Sequence, residues 1–183
     1  ECPVDLNLEM AVTDEMEKLA LKHVPRYICL VPEKRRELTT EGGLDVVKKQ
    51  KRISQLVERV KKKNIEVSNF IAGDLKQVKA SAATGAFAVE FHTGHWCDYL
   101  RVSPKKAESA WKRLVEAAAL AHDLGLKVHA GHGLDFDTAA KCLQLPHVRE
   151  LNIGHSIVCH ALQMGLEEAV RRMKNAMLGA PRP

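Results

Sequence analysis

Carboxylate, imidazole and amide side chains recur at the ends of short apolar runs. Glu9 closes one run, Glu90 and His92 another, His129 and His132 flank the end of a third, and Asn152 and His155 follow a fourth. A carboxylate and an imidazole at one mouth can pass protons in both directions near neutral pH, which is the work of general acid–base catalysis. Asn7, Glu9 and Met10 are set closely among apolar residues, which predicts a partly buried Glu9. The last two runs lead into glycine–histidine turns, Gly131-His132-Gly133 and Gly154-His155-Ser156, the second opening a helix. Glycines let backbone N–H groups approach an anion and a helix N-terminus carries partial positive charge, so these turns suit a phosphate. One such pair reads equally well as a tight turn; two on consecutive runs favour a ligand. His92, His95 and Cys97 have donor types suited to zinc, but no fourth ligand or open catalytic position accompanies them, so the expected metal is none.

These groups need a scaffold that brings many strand ends to one place. Runs rich in apolar and β-branched residues at Val4 to Leu8, Tyr27 to Val31, Ile65 to Ile71, Phe87 to Phe91, Lys127 to Ala130 and Glu150 to Ile153 read as six strands. Helical periodicity fills the intervals at Asp14 to Lys22, Val46 to Lys63, Leu75 to Ala83, Pro104 to Leu124, Thr138 to Leu143 and Ser156 to Leu178. Thr13, Asp74 and Ser103 stand as N-caps, the last before Pro104, and Gly125 stops the fourth helix. Strict alternation implies parallel pairing, in a doubly wound sheet or a (β/α) barrel. A doubly wound sheet gathers its site at one crevice, whereas a barrel collects residues from most strand ends, and the spread seen here favours the barrel. Barrel phosphate sites commonly use the loops after strands seven and eight. If the glycine–histidine turns are those loops, six of eight units are present and the first two strands are missing.

The bulk numbers narrow the function classes. With 183 residues, 45% hydrophobic and 28% charged, the chain is one globular domain. It has no apolar run of roughly 18 residues and no signal-like start, which predicts a soluble cytoplasmic protein without membrane contact. Five cysteines without paired spacing argue against a disulfide framework. The net charge of +5 comes with only two tryptophans, two tyrosines and four phenylalanines, and the run Lys61-Lys62-Lys63 reads as a solvated helix end, so no nucleic acid is expected.

Longer strings are more specific. Asn7 to Ala11, Leu30 to Arg35 running on through Thr39 to Val46, Glu90 to Gly94, Ala130 to Leu134, and Glu150 to His155 occur in order along the chain. Together they resemble the signature of the pyridoxine 5′-phosphate synthase family. The resemblance implies a (β/α)8 barrel, a homo-octamer, no metal or organic cofactor, and small phosphorylated substrates. The implied reaction condenses 3-amino-2-oxopropyl phosphate with 1-deoxy-D-xylulose 5-phosphate to give pyridoxine 5′-phosphate, phosphate and water. It further implies Glu9 as general base, His132 as proton donor and Glu90 as another carboxylate of the site. Thr39 would contact deoxyxylulose phosphate, and Gly133, Gly154 and His155 would contact the aminooxopropyl phosphate. The segment from Pro32 to Gly43 would serve as a lid. The family's earlier strands carry an Asn-x-Asp-His motif and a further acid–base histidine, so the 183 residues by themselves are expected to have little activity. Where the family has a glycine–arginine pair this chain has Cys159-His160, and His95 to Ser103 also departs from the usual form. Two other readings are a phosphate-binding barrel isomerase or aldolase working on one sugar phosphate, and a non-catalytic subunit.

Overall fold

A computed structural model describes residues 3–34, 37–39 and 42–179. Six parallel strands form one sheet: β1 (Asn7–Met10), β2 (Tyr27–Leu30), β3 (Glu66–Ile71), β4 (Ala88–His92), β5 (Lys127–Gly131) and β6 (Val148–Asn152). Their spatial order is their chain order. A doubly wound sheet must reverse its order at a switch point; this one progresses in a single direction, as a barrel wall does.

The sheet is held by its helix side. Ile28, Leu30, Val67, Ile71, Val89, Phe91, Val128 and Ala130 are each no more than 2% exposed. In the same core lie Ile53, Leu56, Val57 and Val60 of α2 (Val46–Lys61) and Leu114, Ala117, Ala118 and Ala121 of α5 (Pro104–Asp123). Burying aliphatic side chains of this size is worth about 1.5–3 kcal/mol each. Alternation then leaves the opposite face to Glu9, Cys29, Ser68, Glu90, His129, Glu150 and Asn152, aligned by the registers Glu9↔Cys29, Cys29↔Ser68, Ser68↔Ala88, Glu90↔His129 and His129↔Glu150.

Local signals explain most element starts. Thr13 caps α1 (Asp14–His23) by accepting from Met16 N, and acidic residues in its first turn suit the helix dipole. Asp74 accepts from Lys76 N and Gln77 N at the head of α3 (Leu75–Ala83). Gly125, at φ +81, ends α5.

Several expectations are corrected. Val4 and Leu6 are 71% and 55% exposed; the strand expected at Val4 to Leu8 begins instead at Asn7, where pairing with Tyr27 starts. Ser103 precedes α5 but makes no side-chain cap bond, and it also ends the unanticipated α4 (Gly94–Val102). The helix α6 (Phe136–Cys142) starts ahead of the expected Thr138, since Asp135 and Thr138 form a reciprocal capping box. The long final helix is two, α7 (His155–Met164) and α8 (Leu166–Leu178), broken at Gly165 with φ +83. Among the described residues no helix is long and apolar enough to cross a membrane.

Candidate active site

The inner face of the sheet centres on Glu90. Its side chain is buried, and its Oε2 accepts from Asn152 Nδ2 at 2.7 Å and from the Cys29 thiol at 3.4 Å. Burial pushes its pKa up to about 7; the bonds from Asn152 and Cys29 oppose the rise, and the charges of Glu9 and Glu150 add to it. A carboxyl titrating there can hold or release a proton at neutral pH. Glu9 projects from β1 onto the same face but is exposed. The expected partial burial of Glu9 is therefore corrected: it stands at a sheet edge, flanked on one side only by β2.

His132 leaves the end of β5 at φ +71, followed by Gly133 at φ +81. The segment after β4 fixes this corner. Thr93 N donates to Gly131 O at 2.9 Å, and the Thr93 hydroxyl lies 2.8 Å from Gly131 O and 2.7 Å from His132 O, its proton shared between them. Thr93 sits in helical backbone at φ −98 and ψ −6, not in the extended geometry of a capping residue, and its side chain gives α4 no cap. A Cβ on Gly94 would stand 2.8 Å from His132 Cδ2, and one on Gly133 would stand 2.9 Å from Gly94 Cα, so glycine is required at both. The His92 ring stacks on His132 at 4.6 Å between centroids, with Phe70 at 5.4 Å from His92 and 6.2 Å from His132.

The segment between β2 and α2 lies over this group. Thr39 N donates to Gly43 O at 2.8 Å, and the Thr39 hydroxyl accepts from Gly43 N at 3.3 Å. A Cβ on Gly42 would fall 3.0 Å from His92 Nε2, and one on Gly43 would fall 2.3 Å from Ala72 N. Gln77 anchors the far end: its Oε1 accepts from Val46 N and Val47 N, and its Nε2 donates to Asp45 Oδ1. Of the lid segment, Arg35, Arg36, Thr40 and Glu41 lie outside the described residues.

Gly154 and His155 are exposed at the head of α7, and a Cβ on Gly154 would meet nothing within 4 Å. No side chain caps the first N–H groups of α7, which leaves those donors for an anion. His155 Nε2 lies 3.7 Å from Cys159 Sγ.

The expected site residues thus form a Glu90 group carrying the Glu9 charge, a His132–Gly133 corner against Gly94, and the Thr39 turn reaching that corner through His92. Gly154 and His155 stand on the solvent side, past the end of β6. Sequence reading missed Cys29 and the structural roles of His92, Thr93 and Gly94. Strand parity would have found Cys29, which pairs with Glu9 in register. Among the described residues no group of three His, Cys, Asp or Glu side chains is placed to hold a metal ion.

Comparison with known proteins places the chain in a family. The pyridoxine 5′-phosphate synthase of Bdellovibrio bacteriovorus is 54% identical over 176 residues, covering 96% of this chain and 72% of its own length. That of Caulobacter vibrioides is 50% identical over 176 residues, covering 96% and 69%. Among solved structures, the xylose isomerase domain protein of Planctomyces limnophilus aligns with a TM-score of 0.55 at 11% identity, covering 97% of this chain and 72% of that one. The Amycolatopsis orientalis BexX/CysO complex gives 0.53 at 15%, covering 92% of this chain and 63% of that one. Such low identities speak to the fold alone. The model for the pyridoxal phosphate biosynthesis protein PdxJ matches residues 1–179, and the chain belongs to the PdxJ family.

Proposed function

We propose that this chain forms the catalytic face of a pyridoxine 5′-phosphate synthase, joining 3-amino-2-oxopropyl phosphate to 1-deoxy-D-xylulose 5-phosphate and closing the pyridine ring with loss of phosphate and water. The observation that carries the proposal is the buried Glu90, held by Asn152 and Cys29 within the field of Glu9. Ring closure runs through carbinolamine formation and dehydrations, and each step moves a proton. Glu9, open to the site, takes protons from carbon and nitrogen. His132 returns them to the departing oxygens. Glu90, poised near neutrality, can give or receive the proton that the other two exchange.

The phosphates bind away from the reacting carbons and position them. In this reading Thr39 contacts deoxyxylulose phosphate, while Gly133, Gly154, His155 and the N–H groups opening α7 hold the aminooxopropyl phosphate. Two further strand–helix units between β6 and β1 would complete an eight-unit barrel, and the extra length of the relatives leaves room for them. We further propose a cytoplasmic homo-octamer, by resemblance to the family.

The test is an assay with both phosphorylated ketones on the protein that carries the two further strand–helix units, the product identified by mass and absorbance. Pyridoxine 5′-phosphate is expected. Turnover of either phosphorylated ketone alone, with no product containing both carbon skeletons, would overturn the reading.

A further inference from the structure

We propose that His92 is a positioning residue that holds the imidazole of His132 in its working orientation; this rests on the synthase reading, in which His132 is the proton donor. Four contacts converge on this arrangement. The two rings lie 4.6 Å apart and within 25° of parallel. Gly94 passes so close that an added Cβ would stand 2.8 Å from His132 Cδ2 and 2.9 Å from His92 Cε1. Gly42 also closes on His92, an added Cβ standing 3.0 Å from its Nε2. Phe70 stands edge-on to His92. His92 is thus a slab wedged between the Thr39–Gly43 turn and His132, while the Thr93 hydroxyl fixes the backbone of the same corner from below.

A residue that only filled this space would be better apolar, because His92 Nδ1 is buried without a hydrogen-bond partner, and an unmet buried polar atom costs stability. Burial, then the neighbouring His132 and His95, bring the His92 pKa down to about 4. The slab is therefore neutral at working pH, and a proton arriving at His132 meets no second positive charge across the stack. A flat, uncharged ring supports an imidazole without competing for its proton. Its placement under the Thr39–Gly43 turn also joins the two halves of the site through a single side chain.

The experiment compares His92→Ala with His92→Gln in the protein that carries the two further strand–helix units, measuring kcat and both KM values and determining the crystal structure of the alanine variant. Misplacing a catalytic group by about 1 Å can cost on the order of 10²-fold. Alanine is expected to lower kcat by that order, with both KM values within about threefold of wild type. Glutamine, whose flat amide fits the same slot, should recover most of the loss, and the His132 ring should turn away in the alanine crystal. Unchanged kcat with His132 in place would overturn the proposal. Equal losses in both variants with His132 unmoved would also overturn it and give proton transfer to His92 itself. If the wild type makes no pyridoxine 5′-phosphate, the synthase reading falls, and the orientation of His132 in the alanine crystal still decides the role of His92.

Discussion

Glu90 Oε1 fills the volume that a side chain at position 131 would need: an ideal Cβ on Gly131 would lie 2.2 Å from that oxygen and 2.9 Å from Asn152 O. The carboxylate and the start of the His132 corner therefore share one packing constraint. Gly131→Ala is expected to drive Glu90 off Asn152, at an overpacking cost of about 1–3 kcal/mol. Thermal unfolding and kcat measured together check this. Wild-type values of both would show that the Glu90–Gly131 contact imposes nothing.

The same carboxyl sets a dependence of stability on pH. Its folded pKa of about 7 lies above the ordinary 4.5 of an unfolded chain, so the native state binds this proton more tightly. The favourable contribution is fully present below about pH 4.5 and is lost as pH rises to 7 and beyond. Above that, ionised Glu90 costs on the order of 3 kcal/mol. Glu90→Gln should be more stable than wild type by that order at pH 8 and of equal stability at pH 4, by denaturant titration. A pH-independent difference would contradict the assignment, and kcat should fall in either case.

How far the sequence foretold this site depends on what kind of contact builds each part. Strand alternation and polar residues at strand ends placed Glu90, His92, His132 and Asn152 at one mouth, because a parallel sheet enforces both. The third helix was read with its observed bounds, since Asp74 and the periodicity agree with tertiary demand. Failures occurred where long-range pairing decides. Glu9 is exposed because, among the described strands, β1 pairs with β2 alone, a long-range relation that no local pattern reveals. The helix α4 lacks a local start signal, since Thr93 makes no cap bond and its hydroxyl donates to Gly131 O and His132 O, far along the chain. The glycines at 94 and 131 answer to side chains far away in sequence, so their need for a missing Cβ cannot be read from their neighbours.

His132→Asn should leave the fold intact and lower kcat by about 10²–10⁴-fold, the usual loss for a general acid. Glu9→Gln should do the same. Steady-state kinetics beside circular dichroism separates catalysis from folding. Full activity in either variant would remove that residue from the mechanism.

Gln77 is expected to govern the anchoring of the lid segment. It is buried and makes three hydrogen bonds to the head of α2, where Asp45 caps Lys48 N and Asp45 N donates to Glu37 O at 2.9 Å. Gln77→Ala takes the side-chain acceptor from Val47 N and leaves Val46 N with Leu44 O alone, and should cost about 1–3 kcal/mol. It should also raise the KM for the substrate that Thr39 contacts more than for the other. An equal effect on both would dissociate the clamp from the Thr39 turn.

Cys159 offers a chemical handle on the phosphate corner. Burial raises the thiols of Cys97 and Cys142 to about 11 and about 12, and raises Cys29 well above the usual range with Glu90 adding to the effect. Among the described cysteines Cys159 alone is exposed, so an alkylating reagent near neutral pH should reach it before Cys29, Cys97 and Cys142. The adduct would sit beside His155, 3.7 Å from the sulfur, at the mouth where α7 presents its uncapped N–H groups. Iodoacetamide treatment should therefore raise the KM for aminooxopropyl phosphate while leaving that for deoxyxylulose phosphate nearly unchanged, and Cys159→Ser should abolish the sensitivity. Loss of activity that persists in the serine variant would trace to another thiol, while a labelled Cys159 with normal kinetics would mean that His155 does not carry the phosphate.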